Sequence, residues 1–136
     1  MKYFLFIFIA TFNLFALDFK VASYNVENFF DLQYDKTEYK EFIPNTKSWN
    51  TKSYTTKLTN VSKVIKNLDA DILALQEIES RQVLDALTKK NPDSKYSIFT
   101  KNKNTAIGLG LMSKFPIVSS KNIIVDKYDK YSRDIL

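Results

Sequence analysis

Residues 21–31, VASYNVENFFD, and residues 71–79, DILALQEIE, are two apolar runs that close on polar side chains, with one helical period between them. Such a pair reads as two strands joined through a helix, the unit from which layered α/β structures are built. Residues 19–26 alternate, with Phe19, Val21, Ser23 and Asn25 on one face and Lys20, Ala22, Tyr24 and Val26 on the other. Ile72, Leu73, Ala74 and Leu75 are apolar without a break, which predicts a strand over 71–78 covered on both faces. The polar ends carry the chemistry. Asn25 closing one strand and Glu77 closing the other would set an amide oxygen and a carboxylate side by side at one edge of the sheet.

The helix between them is expected over 56–68, where Leu58, Val61, Ile65 and Leu68 fall at helical spacing and Lys57, Lys63 and Lys66 lie elsewhere. Residues 31–55 show no steady period and read as a long loop. Tyr34, Tyr39, Phe42, Pro44, Trp49 and Tyr54 are spread through it and argue for order, and an ordered loop of this length is usually functional. A second helix is expected over 81–90, burying Val83, Leu84 and Leu87 and stopped by Asn91-Pro92-Asp93. Three further strands are expected at 96–100, 107–113 and 122–125. The chain has only two glycines and three prolines, which predicts polar loops in place of many tight turns, and it contains no internal repeat.

Residues 1–16 are one lysine followed by an apolar run that ends on the small Ala16, the pattern of a secretory signal peptide cleaved after Ala16. The run is shorter than the roughly 20 residues a membrane-spanning helix needs, and Asn13 interrupts it. An uncleaved amino-terminal anchor is the alternative, and membrane contact is expected only if the segment is retained. The expected organisation is therefore a signal peptide at 1–16 and a single partial domain at 17–136. Losing Lys2 with the signal lowers the net charge by one from the +5 of the whole chain. A modest basic excess attracts polyanions, nucleic acid and anionic lipid alike. All basic residues but Arg81 and Arg133 are lysine, and cysteine is absent, so there is no disulfide framework and no thiolate metal site.

A carboxylate at the end of a buried strand must pair with a cation or reach solvent, because an unpaired buried charge is costly. Glu77 can do so by pairing with a lysine or by holding a metal. Glu79 shares its face at period two and is a weaker second candidate. Asn25 can close a turn, or it can offer its oxygen to a metal and its amine to a phosphate. Few oxygen ligands, with room left for water and phosphate, suit magnesium. Asn28 and Asp31 read as turn and loop residues.

The segments YNVENFFD and DILALQE together resemble the first two motifs of the endonuclease/exonuclease/phosphatase family, the DNase I-like metal-dependent phosphodiesterases, and YNVENFFD is most similar to its bacterial nuclease-like members. The resemblance implies a four-layered α/β sandwich, two packed mixed sheets with flanking helices, of which these residues supply the first half. It implies Glu77 as the ligand of Mg2+ (with Mn2+ or Ca2+ as alternatives), Gln76 on the opposite strand face, and Asn25 as a second ligand and catalytic residue. The segment GLGLMSKFPI at 108–117 resembles the family's strand and Ser-Lys-x-Pro turn, placing Lys114 as a substrate-binding candidate beside its simpler reading as a solvated lysine. Its glycines are expected to permit close backbone approach. Arg133 matches a family arginine suited to bidentate phosphate contact.

The same resemblance implies a later Asp-x-Asn segment and a Ser-Asp-His ending, and these 136 residues hold no histidine. The expectation is the amino-terminal part of an exported Mg2+-dependent hydrolase of phosphodiester bonds in DNA or RNA, inactive by itself, with no stable protein partner. A sphingomyelinase- or inositol-phosphatase-like hydrolase of the same fold and a non-catalytic exported binding module are the alternatives. Half a two-sheet sandwich is also expected to expose one apolar sheet face.

Overall fold

The computed structural model describes residues 18–103 and 105–123. The signal segment, Arg133 and all but the first two residues of the strand expected at 122–125 lie outside the described residues. In chain order the elements are β1 (Val21–Phe29), a 3₁₀ turn (Lys40–Phe42), α1 (Thr51–Leu68), β2 (Ile72–Ile78), α2 (Arg81–Lys90), β3 (Tyr96–Thr100) and β4 (Gly108–Ser113). The sheet order is β1-β2-β4-β3. β1 and β2 are parallel, as a helical crossover requires, whereas β4 runs antiparallel to both β2 and β3.

α1 begins earlier than residue 56 because Asn50 caps it, its side-chain oxygen accepting the N–H groups of Lys52 and Ser53 at 3.0 and 3.2 Å. Its first turn, Thr51-Lys52-Ser53, has no apolar residue to reveal a helical period. The helix ends at Asp69, which takes the left-handed conformation (φ 46°) and returns its N–H to the Ile65 carbonyl. α2 is capped by Ser80, whose hydroxyl accepts the Val83 N–H, and ends at Asn91, whose N–H and side-chain amide both donate to the Leu87 carbonyl.

Both helices cover the same face of the sheet. Val26, Phe29, Leu73, Leu75 and Met112 point into a core with Val61, Ile65, Val83, Leu84 and Leu87. Each large side chain buried there contributes about 1.5–3 kcal/mol. Gly110 lies under Leu84, where an added Cβ would come within 3.1 Å of its Cδ1, so this glycine makes room for a helix side chain and not for the backbone approach expected. On the opposite face the strand register sets Ser23 against Ala74 and Leu111, and Asn25 against Gln76 and Leu109. Ile72 and Ala74 are only half-buried there, so β2 is fully covered on one face among the described residues, contrary to the expectation of two. The cause is that α1 and α2 occupy one side. The result is a mixed α/β layer pair, consistent with part of the four-layered sandwich.

Residues 30–50 are ordered by aromatic packing. Phe30 stacks on Phe42 at 4.6 Å between ring centroids, and Phe42 meets Trp49 edge-on at 5.1 Å. The Trp49 indole N–H donates to the Asp31 carbonyl at 2.8 Å, tying the end of the loop to its start.

Candidate active site

The parallel register of β1 and β2 is regular from Val21↔Ile72 to Asn25↔Gln76, then shifts so that Phe29 pairs with Ile78. Both strands bulge at this point. Glu27, Asn28 and Glu77 have φ of 57°, 59° and 65°. A left-handed non-glycine residue is uncommon and typically strained, asparagine least so, and three together at one sheet edge mark a shaped site. Because the bulge lay hidden in an apparently regular pattern, β1 runs to Phe29 and not only to Val26.

The left-handed turn at Glu77 moves Glu77 off the alternation that Ile72, Ala74 and Gln76 keep. Gln76 donates its amide to the Ser23 hydroxyl at 3.1 Å, so it lies on the Ser23 and Asn25 face and not on the opposite one. Glu77 nevertheless reaches that face too. Its Oε1 accepts the Asn25 side-chain amide at 2.8 Å and its Oε2 accepts the Asn28 backbone N–H at 3.0 Å. The structure therefore brings Asn25 and Glu77 together. Its Nδ2 donates to Glu77 and its Oδ1 accepts the Glu27 N–H at 2.7 Å, so Asn25 orients Glu77 while its oxygen keeps one lone pair. Lys57, from α1, donates its ammonium to the Glu27 carbonyl at 3.0 Å and so stands over the bulge. No pattern distinguished it in the sequence from the other lysines of that helix.

Glu79 does not share the face of Glu77. The turn breaks the period of two, Ile78 enters the core, and Glu79 is 2% exposed. Its Oε2 accepts the Asp31 N–H at 2.6 Å, and its backbone N–H donates to Phe29. Burial pushes its carboxyl up to about 7, against the pull of that hydrogen bond. Asp31, expected to be a simple loop residue, is a buried junction whose two carboxylate oxygens accept the Gln33 N–H and the Ser80 hydroxyl.

Lys114 is not brought to this site. Ser113 pairs with Ile72, at the end of β2 away from Glu77, and the Lys114 ammonium bonds Asp69 Oδ1 at 2.9 Å and Asp71 Oδ1 at 3.0 Å. Hydrogen bonds from Lys114 and then Lys20 hold the Asp69 carboxyl below its ordinary value, and the Lys20 N–H and then Lys114 do the same for Asp71. Antiparallel pairing puts the turn after β4 beside the start of β2, which the linear sequence did not show. Gly108 sits at the other end, opposite Ile78, with the Thr100 carbonyl so near that a Cβ would collide with it.

Beyond this geometry, the sequence of residues 20–136 is matched by the model of the Endonuclease/Exonuclease/phosphatase family. The chain belongs to this family. No curated protein and no solved structure matches the chain significantly. Members of the endonuclease/exonuclease/phosphatase family are usually hydrolases and generally depend on a divalent metal. The donor chemistry of Glu77 fits such an ion: each carboxylate oxygen has one N–H partner from this site and keeps lone pairs for a cation.

Proposed function

We propose that this chain carries the metal-carboxylate part of an exported phosphodiesterase site, with DNA or RNA as the substrate class. The observation that carries the reading is the Asn25–Glu77 contact across parallel strands, built from three left-handed residues at one sheet edge. Glu77 would hold Mg2+, or Mn2+ in its place. Asn25 and the Asn28 N–H fix the carboxylate in one orientation, the kind of support whose loss typically weakens metal binding about 10- to 100-fold. Lys57 adds a positive charge beside the bulge, where a substrate phosphate would approach. When bound, the metal would supply charge to the phosphate oxygens as the phosphodiester bond is attacked by water.

The basic excess and pI near 9.3 favour a polyanionic substrate, and the apolar run at 1–16 supports export. Phosphodiester hydrolysis in this family also draws on a histidine, as the resemblance implies, and none is among these residues. The chain by itself is therefore expected to bind the ion without turning substrate over. Titration of the full chain with Mn2+, followed by the relaxation of water protons, should show one bound ion more than in Glu77→Gln. Equal binding by both proteins would refute the site. Metal-dependent cleavage of DNA, RNA or sphingomyelin by purified chain, abolished by Glu77→Ala, would overturn the expected inactivity and name the substrate class.

A further inference from the structure

We propose that Asp35, Glu38 and Glu79 form a second divalent-cation site, of the calcium type, which clamps the segment after β1 to the end of β2. It is separate from the Glu77 site and does not rest on it. One carboxylate oxygen from each of the three residues lies within 4.8 Å of the others. Two ligands of one calcium ion lie at most about twice the calcium–oxygen bond of 2.3–2.6 Å apart, and a small side-chain adjustment brings all three oxygens to one ion.

Acidic residues often gather without a metal, and here burial makes the difference. Glu79 is 2% exposed, and while its Oε2 takes the Asp31 N–H, its Oε1 is buried with no hydrogen-bond partner. Glu38 repeats the arrangement: Oε1 accepts the Asp35 N–H at 2.6 Å, and Oε2 is buried and unpartnered. Buried carboxylate oxygens without partners are rare because each carries its full desolvation penalty. A cation between them satisfies both. Lys101 does not: its ammonium pairs with Asp35 Oδ2 at 3.2 Å. The flexible coordination sphere of calcium accepts three carboxylates and fills the remaining positions with water or carbonyls, whereas magnesium demands a tighter octahedron.

Trp49 supplies the readout. It is the one tryptophan of the chain, its indole N–H bonds the Asp31 carbonyl, and the Asp31 N–H bonds Glu79. Tb3+ in this site should therefore emit on excitation of Trp49, and Ca2+ should displace it. The full chain and its Glu77→Gln variant should both show the emission. Glu38→Gln and Asp35→Asn should weaken binding about tenfold, since affinity in such sites follows the count of charged ligands. Asp35 is exposed, so its variant tests the site even if changes at Glu79 impair folding. Absence of Ca2+-displaceable emission overturns the proposal. Emission lost in Glu77→Gln and kept in Glu38→Gln overturns it as well, by assigning the ion to the other site.

Discussion

Glu77 and Glu79 leave the same strand end and meet opposite fates. Glu77 is turned by its left-handed backbone onto the open face, where both carboxylate oxygens have N–H partners and solvent access. Glu79 is carried inward with Ile78, keeps one partner and leaves one oxygen buried and unpaired. One backbone torsion thus sorts two chemically identical groups into a half-buried, fully oriented carboxylate and a buried, structural one. Oriented on the open face is what the proposed metal ligand needs. Buried and bonded to the loop is what holds the 31–50 segment in place.

The largest effect expected from this contrast is on stability. Glu79→Ala strips the buried Asp31 N–H of its acceptor, at a cost of about 1–3 kcal/mol. Glu77→Ala, whose freed partners can turn to water, should stay within about 0.5 kcal/mol. Urea unfolding of the two variants measures both; comparable losses would mean that Glu77 also supports the fold and that the division of roles is wrong.

Proton linkage sharpens the same contrast. Glu79 has its carboxyl raised from an ordinary value of 4.5 to about 7, so in this window the folded chain holds a proton that the unfolded chain releases. The stability this group contributes is complete below about pH 4.5 and is lost as pH rises through about 7. In chelator-containing buffer, where no cation competes with the proton, the melting temperature should fall between pH 5 and pH 8 more steeply for the native chain than for Glu79→Gln. Parallel profiles would show that Glu79 ionises freely in the fold.

A smaller effect is expected at the open site. Asn25→Ala removes the donor that orients Glu77 and should weaken Mn2+ binding roughly tenfold, at the lower end of what such supporting contacts are worth. Unchanged affinity would leave Asn25 as only a turn residue, closing on the Glu27 N–H.

The two strand ends and the meeting of Asn25 with Glu77 were legible in the sequence because apolar runs with polar ends are determined locally. The second helix was legible for the same reason, with Pro92 just past its stop. What stayed hidden depended on single backbone angles or on distant pairing. Nothing in Gln76-Glu77-Ile78 announces a left-handed residue, so neither the arrival of Glu77 on the face of Gln76 nor the departure of Glu79 from it could be counted out by twos. The start of α1 was missed because Asn50 caps three polar residues. Asp35 and Glu38 could have been noticed as an acidic pair within an aromatic loop, but only the folded chain carries them to Glu79.

The smallest effect belongs to the far end of β2, where Lys114 bridges Asp69 and Asp71. These groups are at the surface, so the ion pairs are screened by salt and contribute little. Lys114→Ala should lower the melting temperature slightly, with the difference fading in high salt. Asp69 and Asp71 have lowered carboxyl values, so their contribution is present above the ordinary carboxylate range near 3.8 and is lost as pH falls through the depressed values. The variant's disadvantage should therefore vanish in acid. Mn2+ binding should not change, because the ammonium is engaged at the opposite end of the strand from Glu77. If Lys114→Ala instead weakened DNA binding while Lys57→Ala did not, the polyanion would be tracking the far edge of the sheet, and the Glu77 end could no longer be the place where substrate phosphate is received.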